Sequence, residues 1–323
     1  MQFDDTLIWI FAMLLALVAD HYLGEPPARL HPVVWMGNYL NWAAARIHPN
    51  PSPVVRDLKA FSLAAQYWFA GAAMVLIVTC VLQWIAFLLP WYLAAPLLGL
   101  ALKPMLAWAM LRREVQAVED ALHESIEAGR ERLSWLVSRD TSILSASEVR
   151  ESAIESLAEN LNDSVVAPIF WFALFGLPGA AVYRFANTAD AMWGYRGVRN
   201  GVNWEWAGKW AAWADDVLSW LPARLTALLL AWVSGGLNLK VLRCEARKTP
   251  SPNSGWPMAA MALALNIRLG KPGVYTLNEG GKLPLATDTA MAQEHSSKVV
   301  HWHILLALPA IFLIAYVKWS LVQ

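Results

Sequence analysis

A run of carboxylates, amides and hydroxyls at residues 139–163 is the part of this sequence best suited to chemistry. Within it, Glu155, Glu159 and Asp163 follow one another at intervals of four residues. On a helix that turns by about 100° per residue, all three lie on one face. Each like-charge step costs roughly 0.2–0.5 kcal/mol in an isolated helix. A cation, an arginine partner or a raised pKa would relieve the repulsion, and a solvated amphipathic face is the alternative interpretation.

The residues before these carboxylates predict where their helix begins. Ser145, followed three residues later by Glu148, has the pattern of a capping box. The polar face of the predicted helix carries Ser152, Glu155, Ser156, Glu159, Asn160 and Asp163. The opposite face carries Ile154, Leu157, Ala158, Leu161 and Val165. This helix therefore packs on one side and presents polar groups on the other.

The composition indicates a membrane protein. The 323 residues are 57% hydrophobic and 15% charged, with 19 tryptophans, and the mean hydropathy is +0.38. These values are too apolar for an ordinary soluble domain. The formal net charge is +0, and no block of Lys and Arg is present, so we expect no nucleic-acid partner. The two cysteines, Cys80 and Cys244, lack the spacing of a disulfide framework or a thiolate metal site.

Apolar runs predict an all-α, polytopic integral membrane protein. The clear runs are residues 6–23, residues 69–89 and 91–111 as a hairpin around Pro90, and residues 301–322; each approaches the length a bilayer requires. Two runs are ambiguous. Residues 165–185 contain proline and glycine, which favours a broken or re-entrant passage, and residues 225–233 are short. We therefore predict four to six transmembrane or re-entrant helices.

A charged segment between the runs predicts cytoplasmic amphipathic helices. Residues 112–135 have apolar positions at helical spacing among many charges, which predicts one amphipathic helix. The basic residues beside the hairpin place this segment in the cytoplasm by the positive-inside rule. We treat the chain as one membrane-embedded domain. Its segments are residues 1–111 (N-terminal transmembrane helices), 112–164 (cytoplasmic helices), 165–270 (most of the remaining polar motifs) and 271–323 (linker and C-terminal transmembrane helix).

Three further clusters carry polar groups that could bind a ligand. Arg184, Asn187, Asp190, Tyr195 and Arg196 directly follow an apolar run. Charges near membrane depth usually face a cavity or one another, and a structural Arg184–Asp190 ion pair is the alternative. Adjacent Asp215 and Asp216 cannot both face the same way on a helix, so at most one is expected to be a ligand. The loop with Ser251, Asn253 and Trp256 precedes a small-residue helix, where backbone N–H groups suit a phosphate or simply form a turn.

Together these motifs resemble one family, the membrane-bound adenosylcobinamide-phosphate synthases of cobalamin biosynthesis (CbiB/CobD type). The matching stretches are LHPVVWMG from Leu30, RDTS from Arg139, ESLAEN from Glu155, YRFANTADAMWGYR from Tyr183, DDV from Asp215, PARLTALLL from Pro222 and SPNSGWPMAAMA from Ser251. They run in order from the first predicted transmembrane helix to about residue 270. The resemblance is therefore more specific than a single short motif.

The resemblance implies an ATP-dependent amide ligation that joins adenosylcobyric acid to aminopropanol or its O-phosphate. Such a reaction calls for Mg²⁺, ATP and basic groups that neutralise phosphates. The implied metal ligands are Glu155, Glu159 and Asp163, and the first two are also implied in catalysis. The implied clamps for phosphate or carboxylate are Arg139, Arg184 and Arg196, and the candidate general bases are Asp140, Asp190 and Asp215. The other implied substrate contacts are Asn160, Asn187, Tyr195, Ser251, Asn253 and Trp256. No Walker A pattern identifies how ATP is held.

The expected setting is a bacterial inner membrane, with the active site on the cytoplasmic side. The expected partners are the corrinoid, the amine, the lipid bilayer and, as a further expectation, a complex with other late cobalamin-pathway membrane enzymes. A transporter or membrane sensor is the main rival, since broken helices and intramembrane charges also mark transport pathways. A prenyltransferase-like enzyme ranks last, because a repeated Asp-rich motif on two helices is missing from the sequence.

Overall fold

The computed structural model describes residues 3–50, 56–199 and 201–320. These residues form thirteen α-helices, a few shorter helical turns and two small antiparallel hairpins, β1 (Val198–Arg199) with β2 (Val202–Asn203) and β3 (Leu269–Lys271) with β4 (Tyr275–Leu277). The predicted all-α class is confirmed.

Five described helical stretches are long and apolar enough to cross a membrane: Thr6–Leu23, Leu58–Phe87, Trp91–Glu124, Lys209–Val233 and Ala286–Val317. The helix Leu58–Phe87 leaves large apolar side chains exposed, among them Phe69, Ile77 and Trp84, as a lipid-facing surface requires. The protein is therefore a polytopic α-helical membrane protein, and five lies within the predicted four to six.

The chain divides into two compact units, each assembled from separate segments. Unit 1 contains α1 (Phe3–Leu23), α2 (Pro32–Ala44), α3 (Leu58–Phe87), α4 (Trp91–Leu102), α8 (Ala167–Phe175) and α9 (Leu177–Trp193). Unit 2 contains α5 (Trp108–Glu124), α6 (Ile126–Leu133), α7 (Ala146–Leu161), α11 (Leu239–Ala246) and α12 (Gly255–Leu265). Helices α10 (Lys209–Val233) and α13 (Ala286–Ser320) contribute to both units. The prediction of one domain with four segments stays a prediction.

Two predicted helices are interrupted in the structure. The run at residues 91–111 was predicted as one helix, but α4 ends at Leu102 and a 3-10 turn, Lys103–Met105, precedes α5. Pro104 explains the break, because it lacks the N–H that a continuing helix needs. The amphipathic helix predicted at residues 112–135 is also two helices. Ser125 separates them, and its side chain accepts a hydrogen bond from the Ala128 N–H as the N-cap of α6.

The ambiguous passage at residues 165–185 is broken, as predicted. A π-helical turn (Asn162–Val166) leads to α8, and α9 follows after Gly176. Gly176 has φ +69°, and a Cβ there would lie 2.2 Å from Oε1 of Gln83. That Gln83 oxygen accepts the Leu177 N–H at 2.9 Å. Gln83 therefore satisfies one of the free N–H groups at the start of α9.

The structure resolves the ambiguity of the short apolar run at residues 225–233. This run is the last part of the 25-residue helix α10, which contains Pro222 in its interior. Most of residues 184–221 are also helical, since α9 extends to Trp193 and α10 begins at Lys209. The closing transmembrane helix is present as the C-terminal part of α13, and residues 321–322 of its predicted range lie outside the described residues.

Unit 1 contains a buried cluster of charges. Lys103 Nζ lies 2.8 Å from Glu25 Oε2 and 3.6 Å from Asp20 Oδ1. The side chains of Lys103 and Asp20 are only 5% and 2% exposed. His31 Nε2 lies 3.1 Å from the same Glu25 oxygen. Ionisable groups at this depth pair with one another because hydrocarbon does not solvate them, which explains why Asp20 does not interrupt α1.

Candidate active site

Helix α7 begins as predicted and buries the polar face that the sequence suggested. Both halves of the capping box are present, between Ser145 and Glu148. Glu151, Ser152, Glu155 and Ser156 are buried, while Glu159, Asn160 and Asp163 are half-buried. Because Glu155 is only 5% exposed, the face of α7 around it is not a solvated surface.

The Glu155 carboxylate is held by one cation and one phenol. Arg139 Nη2 donates to Glu155 Oε2 at 3.1 Å. The Tyr275 hydroxyl donates to Glu155 Oε1. Burial, reinforced by the negative charge of Glu155, raises the pKa of the Tyr275 phenol far above its usual value, so this hydroxyl remains a donor. The repulsion expected along the carboxylate row is therefore relieved at Glu155 by an arginine partner.

One turn earlier on α7, Glu151 has an arginine partner of its own. Arg268 Nη2 donates to Glu151 Oε1 at 2.9 Å. Burial raises the pKa of Glu151, and Arg268 opposes that rise. A cavity of about 170 Å³ adjoins this pair and is lined in part by Glu148, Ser152 and Tyr275. Unit 2 thus places the Glu151–Arg268 pair at a small polar cavity, and Tyr275 connects that cavity to the Arg139–Glu155 pair.

The predicted metal set does not form a ready cation site. Among residues 3–50, 56–199 and 201–320, no group of three His, Cys, Asp or Glu side chains is placed to hold one ion. Both carboxylate oxygens of Glu155 already accept protein hydrogen bonds. Mg²⁺ is commonly held by one or two carboxylates together with water and substrate phosphates. The joint metal site of Glu155, Glu159 and Asp163 stays a prediction. The hydrogen bonds of Glu155 do not favour it.

The loop before α12 contains its predicted residues and contacts Arg224 of α10, which was not among the predicted site residues. Ser251 Oγ accepts the N–H groups of Asn253 and Ser254, each at 3.2 Å, which favours the plain-turn interpretation for those two donors. Arg224 donates to Asn253 Oδ1 at 2.6 Å, and its guanidinium lies over the Trp256 ring at 4.9 Å. The sequence contains one signal for Arg224, which is the single basic residue of the PARLTALLL stretch. Charged residues within apolar membrane segments usually have a function.

A buried hydrogen bond joins α10, near Arg224, to the end of α7. The Thr226 hydroxyl donates to Asn162 Oδ1 at 3.0 Å, and Asn162 Nδ2 donates to Asp163 Oδ1 at 2.8 Å. Unit 2 therefore brings the motifs that begin at Glu155 and Pro222 into direct contact.

Unit 1 holds the predicted site residues from Arg184 to Asp215. Asn187 Nδ2 donates to Asp215 Oδ1 at 3.3 Å, so the structure brings two predicted motifs together. Arg196 lies close enough to Asp216 to act on it electrostatically. Asp190 Oδ1 lies against the backbone of Gly194, where a Cβ would approach it to 1.9 Å. Arg184 lies on the same helix, α9.

Two predicted residues have local structural roles. The Tyr195 hydroxyl donates to the Ala191 carbonyl at 2.8 Å. Asp140 Oδ1 accepts the Ser142 N–H at 2.9 Å, and this bond lowers the pKa of Asp140. A carboxylate with a lowered pKa is a weaker base. The hydrogen bond from Ser142 therefore argues against Asp140 as the general base.

The fold and these clusters define a polytopic α-helical membrane protein with buried carboxylates that pair with arginines. Residues 13–303 match the model of the CobD/Cbib protein family, and the chain belongs to that family. The match extends beyond residue 270 and includes Tyr275, which contacts Glu155.

Three curated relatives give the extent of the similarity. The chain is 40% identical over 281 residues to the probable cobalamin biosynthesis protein CobD of Methanothermobacter thermautotrophicus, covering 84% of this chain and 87% of the relative. It is 41% identical over 262 residues to the protein of the same description from Pyrococcus abyssi, covering 81% and 83%. It is 35% identical over 285 residues to the cobalamin biosynthesis protein CobD of Dehalococcoides mccartyi, covering 84% and 87%. No solved structure matches this chain.

Proposed function

We propose that this membrane protein of cobalamin biosynthesis is an amide-bond-forming ligase. Its substrates would be adenosylcobyric acid, ATP and aminopropanol or aminopropanol O-phosphate. The observation that carries the proposal is the Arg139–Glu155–Tyr275 cluster around the buried Glu155 carboxylate, in a chain of this family. A buried charged network beside a polar cavity is a functional-site candidate on physical grounds.

The chemistry proceeds in two balanced steps. A propionate carboxylate of the corrinoid attacks the γ-phosphorus of ATP, which forms an acyl phosphate and releases ADP. The amine nitrogen then attacks the acyl carbon, loses a proton to a base and expels orthophosphate. Mg²⁺ enters the proposal as the partner of the nucleotide phosphates.

The residues of the chain have distinct parts in this proposal. Arg139 and Arg184 supply positive charge toward carboxylate or phosphate oxygens. Glu159, half-buried on the same face of α7 as Glu155, faces the reacting groups, and Asp190 or Asp215 accepts the proton of the amine. Glu155, Asn160, Asn187 and Arg196 orient these groups. The proposed location is the plasma membrane with the site on the cytoplasmic side, and a complex with other membrane enzymes of the late pathway is part of the same proposal.

A reconstituted assay tests this function. Purified protein in lipid nanodiscs, supplied with adenosylcobyric acid, ATP and either aminopropanol or its phosphate, should form the amide and consume one nucleotide per bond. Omitting ATP should stop amide formation, and the faster of the two amines identifies the substrate.

Transport is the rival function, and the buried Lys103–Asp20–Glu25 cluster is the observation in its favour. Intramembrane charges also mark substrate and ion pathways. Exchange of labelled adenosylcobyric acid across proteoliposomes without any amide product would contradict the ligase proposal and support transport.

A further inference from the structure

A second cavity in unit 2 is lined by arginines. It has a volume of about 570 Å³ and lies among the middle of α10, helix α11 and the loop before α12. Arg224, Arg243 and Arg247 line it, together with Trp220, Trp256 and Ser251, and its lining contains no Asp or Glu. The cavity is therefore a concentration of positive charge that its own walls do not neutralise.

Arg224 is held in place by neutral groups. Its guanidinium donates to Asn253 Oδ1 at 2.6 Å, to the Trp220 carbonyl at 2.8 Å and to the Pro252 carbonyl at 3.1 Å. It also lies over the rings of Trp220 and Trp256. Within the described residues it forms no ion pair. The side chain is thus fixed toward the cavity while its charge remains uncompensated, and a half-buried charge of this kind favours an anionic partner.

Arg243 and Arg247 add two charges from α11 and its C-cap. They are four residues apart, so they lie on one side of that helix, and neither forms an ion pair with any described residue. Glu245, the acidic residue between them, is engaged elsewhere: it pairs with Lys248 Nζ at 2.7 Å and accepts the Asn278 N–H at 2.7 Å. The nearest carboxylate in the sequence therefore does not neutralise these two arginines.

We propose that the cavity among Arg224, Arg243 and Arg247 binds the phosphate group of a soluble ligand, as a phosphate ester or anhydride. The planar guanidinium fork matches the oxygen geometry of phosphate and forms paired hydrogen bonds to it. The volume suits a small ligand or one end of a larger one. The choice of ligands rests on the proposed function, which offers ATP and aminopropanol phosphate.

Direct binding tests this site without turnover. Protein in nanodiscs of phosphatidylcholine is titrated in separate arms with a non-hydrolysable ATP analogue and with aminopropanol phosphate. Replacing both helix arginines (Arg243→Gln with Arg247→Gln) should raise the dissociation constant of at least one ligand about tenfold or more, because charge-assisted hydrogen bonds are lost. Arg224→Lys keeps the charge but removes the fork and should weaken the same ligand.

The matched control is Lys240→Gln, which removes a charge from α11 outside the cavity lining and should leave both dissociation constants within about twofold. Equal binding of both ligands to the wild type and the double variant, or binding of neither to the wild type, would overturn the proposal. A third arm uses nanodiscs with phosphatidylglycerol. If the double substitution weakens only the binding of phosphatidylglycerol, the bound phosphate belongs to a lipid headgroup and the proposal is overturned.

The outcomes separate this inference from the proposed function. Phosphate binding that depends on these arginines, in a protein that forms no amide, would leave the inference standing and remove the ligase proposal. Amide formation by the double variant with unchanged KM for ATP and for the amine would overturn the inference and leave the ligase proposal standing.

Discussion

Replacing Glu159 by glutamine should lower the rate of amide formation by about two orders of magnitude or more, with the protein still folded. Glu159 is half-buried and lies close enough to Tyr275 for its charge to raise the pKa of that phenol. Glutamine preserves the size of the side chain but removes its charge. General acid–base and electrostatic contributions of single groups are commonly about 10²-fold to 10⁴-fold. The single-turnover rate at saturating substrates measures the effect.

Glu294→Gln is the matched control for this substitution. Glu294 lies on α13 with its side chain 63% exposed, in a surface ion pair with Lys298, so amide formation should remain at the wild-type rate. Wild-type turnover by the Glu159→Gln protein would remove the acidic face of α7 from the mechanism. Loss of turnover accompanied by loss of the folded state would do the same, because the charge would then be needed only for folding.

Replacing Lys103 by methionine should destabilise the protein by about 3–5 kcal/mol, the usual cost of removing one partner from a buried ion pair. The side chain of Lys103 is almost fully buried and its Nζ contacts two carboxylates. Methionine preserves the volume and leaves Asp20 and Glu25 without that cation. Denaturant titration of the protein in detergent, followed by near-UV absorbance or tryptophan fluorescence, measures the free energy of unfolding.

Lys298→Met tests whether burial of the ion pair determines its contribution to the free energy of unfolding. Lys298 pairs with Glu294 at 2.7 Å, but its side chain is 51% exposed, and exposed pairs contribute little. Combining Lys103→Met with Asp20→Asn and Glu25→Gln should recover part of the lost stability, since no uncompensated charge then remains. A Lys103→Met protein as stable as the wild type would contradict the role assigned to this cluster.

Features that depend on neighbouring residues were predictable from the sequence. The start of α7 follows from Ser145 and Glu148, three residues apart, and both capping interactions form. The break in the passage at residues 165–185 follows from its glycine and proline content, and Gly176 supplies the positive φ that separates α8 from α9. Four of the five stretches of membrane-spanning character follow from apolar length, whereas only the last part of Lys209–Val233 stood out as an apolar run. Local propensity and hydropathy determine these features, so the pattern of residues reveals them.

Features that depend on distant residues were not predictable. Glu155 receives the hydroxyl of Tyr275 from 120 residues later, and Glu151 receives Arg268 from 117 residues later. No spacing rule connects residues so far apart. The sequence was therefore equally consistent with an acidic face of α7 that is exposed to solvent and with one whose carboxylates have partners. Tertiary context also overrode local signals at Pro222, which lies inside α10 instead of ending it.

The arginine-lined cavity of unit 2 illustrates why the sequence predicted only part of a candidate binding surface. Ser251, Asn253 and Trp256 were selected because a loop before a helix suits phosphate, yet Ser251 accepts two of the expected backbone donors itself. The positive charge comes instead from α10 and from α11 with its C-cap, through Arg224, Arg243 and Arg247. These arginines lie in separate stretches of the sequence, and only folding brings them together around one cavity.

Oxygen-18 transfer tests the proposed activation of the carboxylate most directly. Adenosylcobyric acid labelled with ¹⁸O in the reacting carboxylate is converted with ATP, and the phosphate products are analysed by mass spectrometry. Activation as an acyl phosphate predicts that one labelled oxygen per amide bond appears in orthophosphate, because that oxygen bridges carbon and phosphorus until the amine displaces it. Amide formed with no label in any phosphate or nucleotide product would contradict ATP-dependent ligation by this protein.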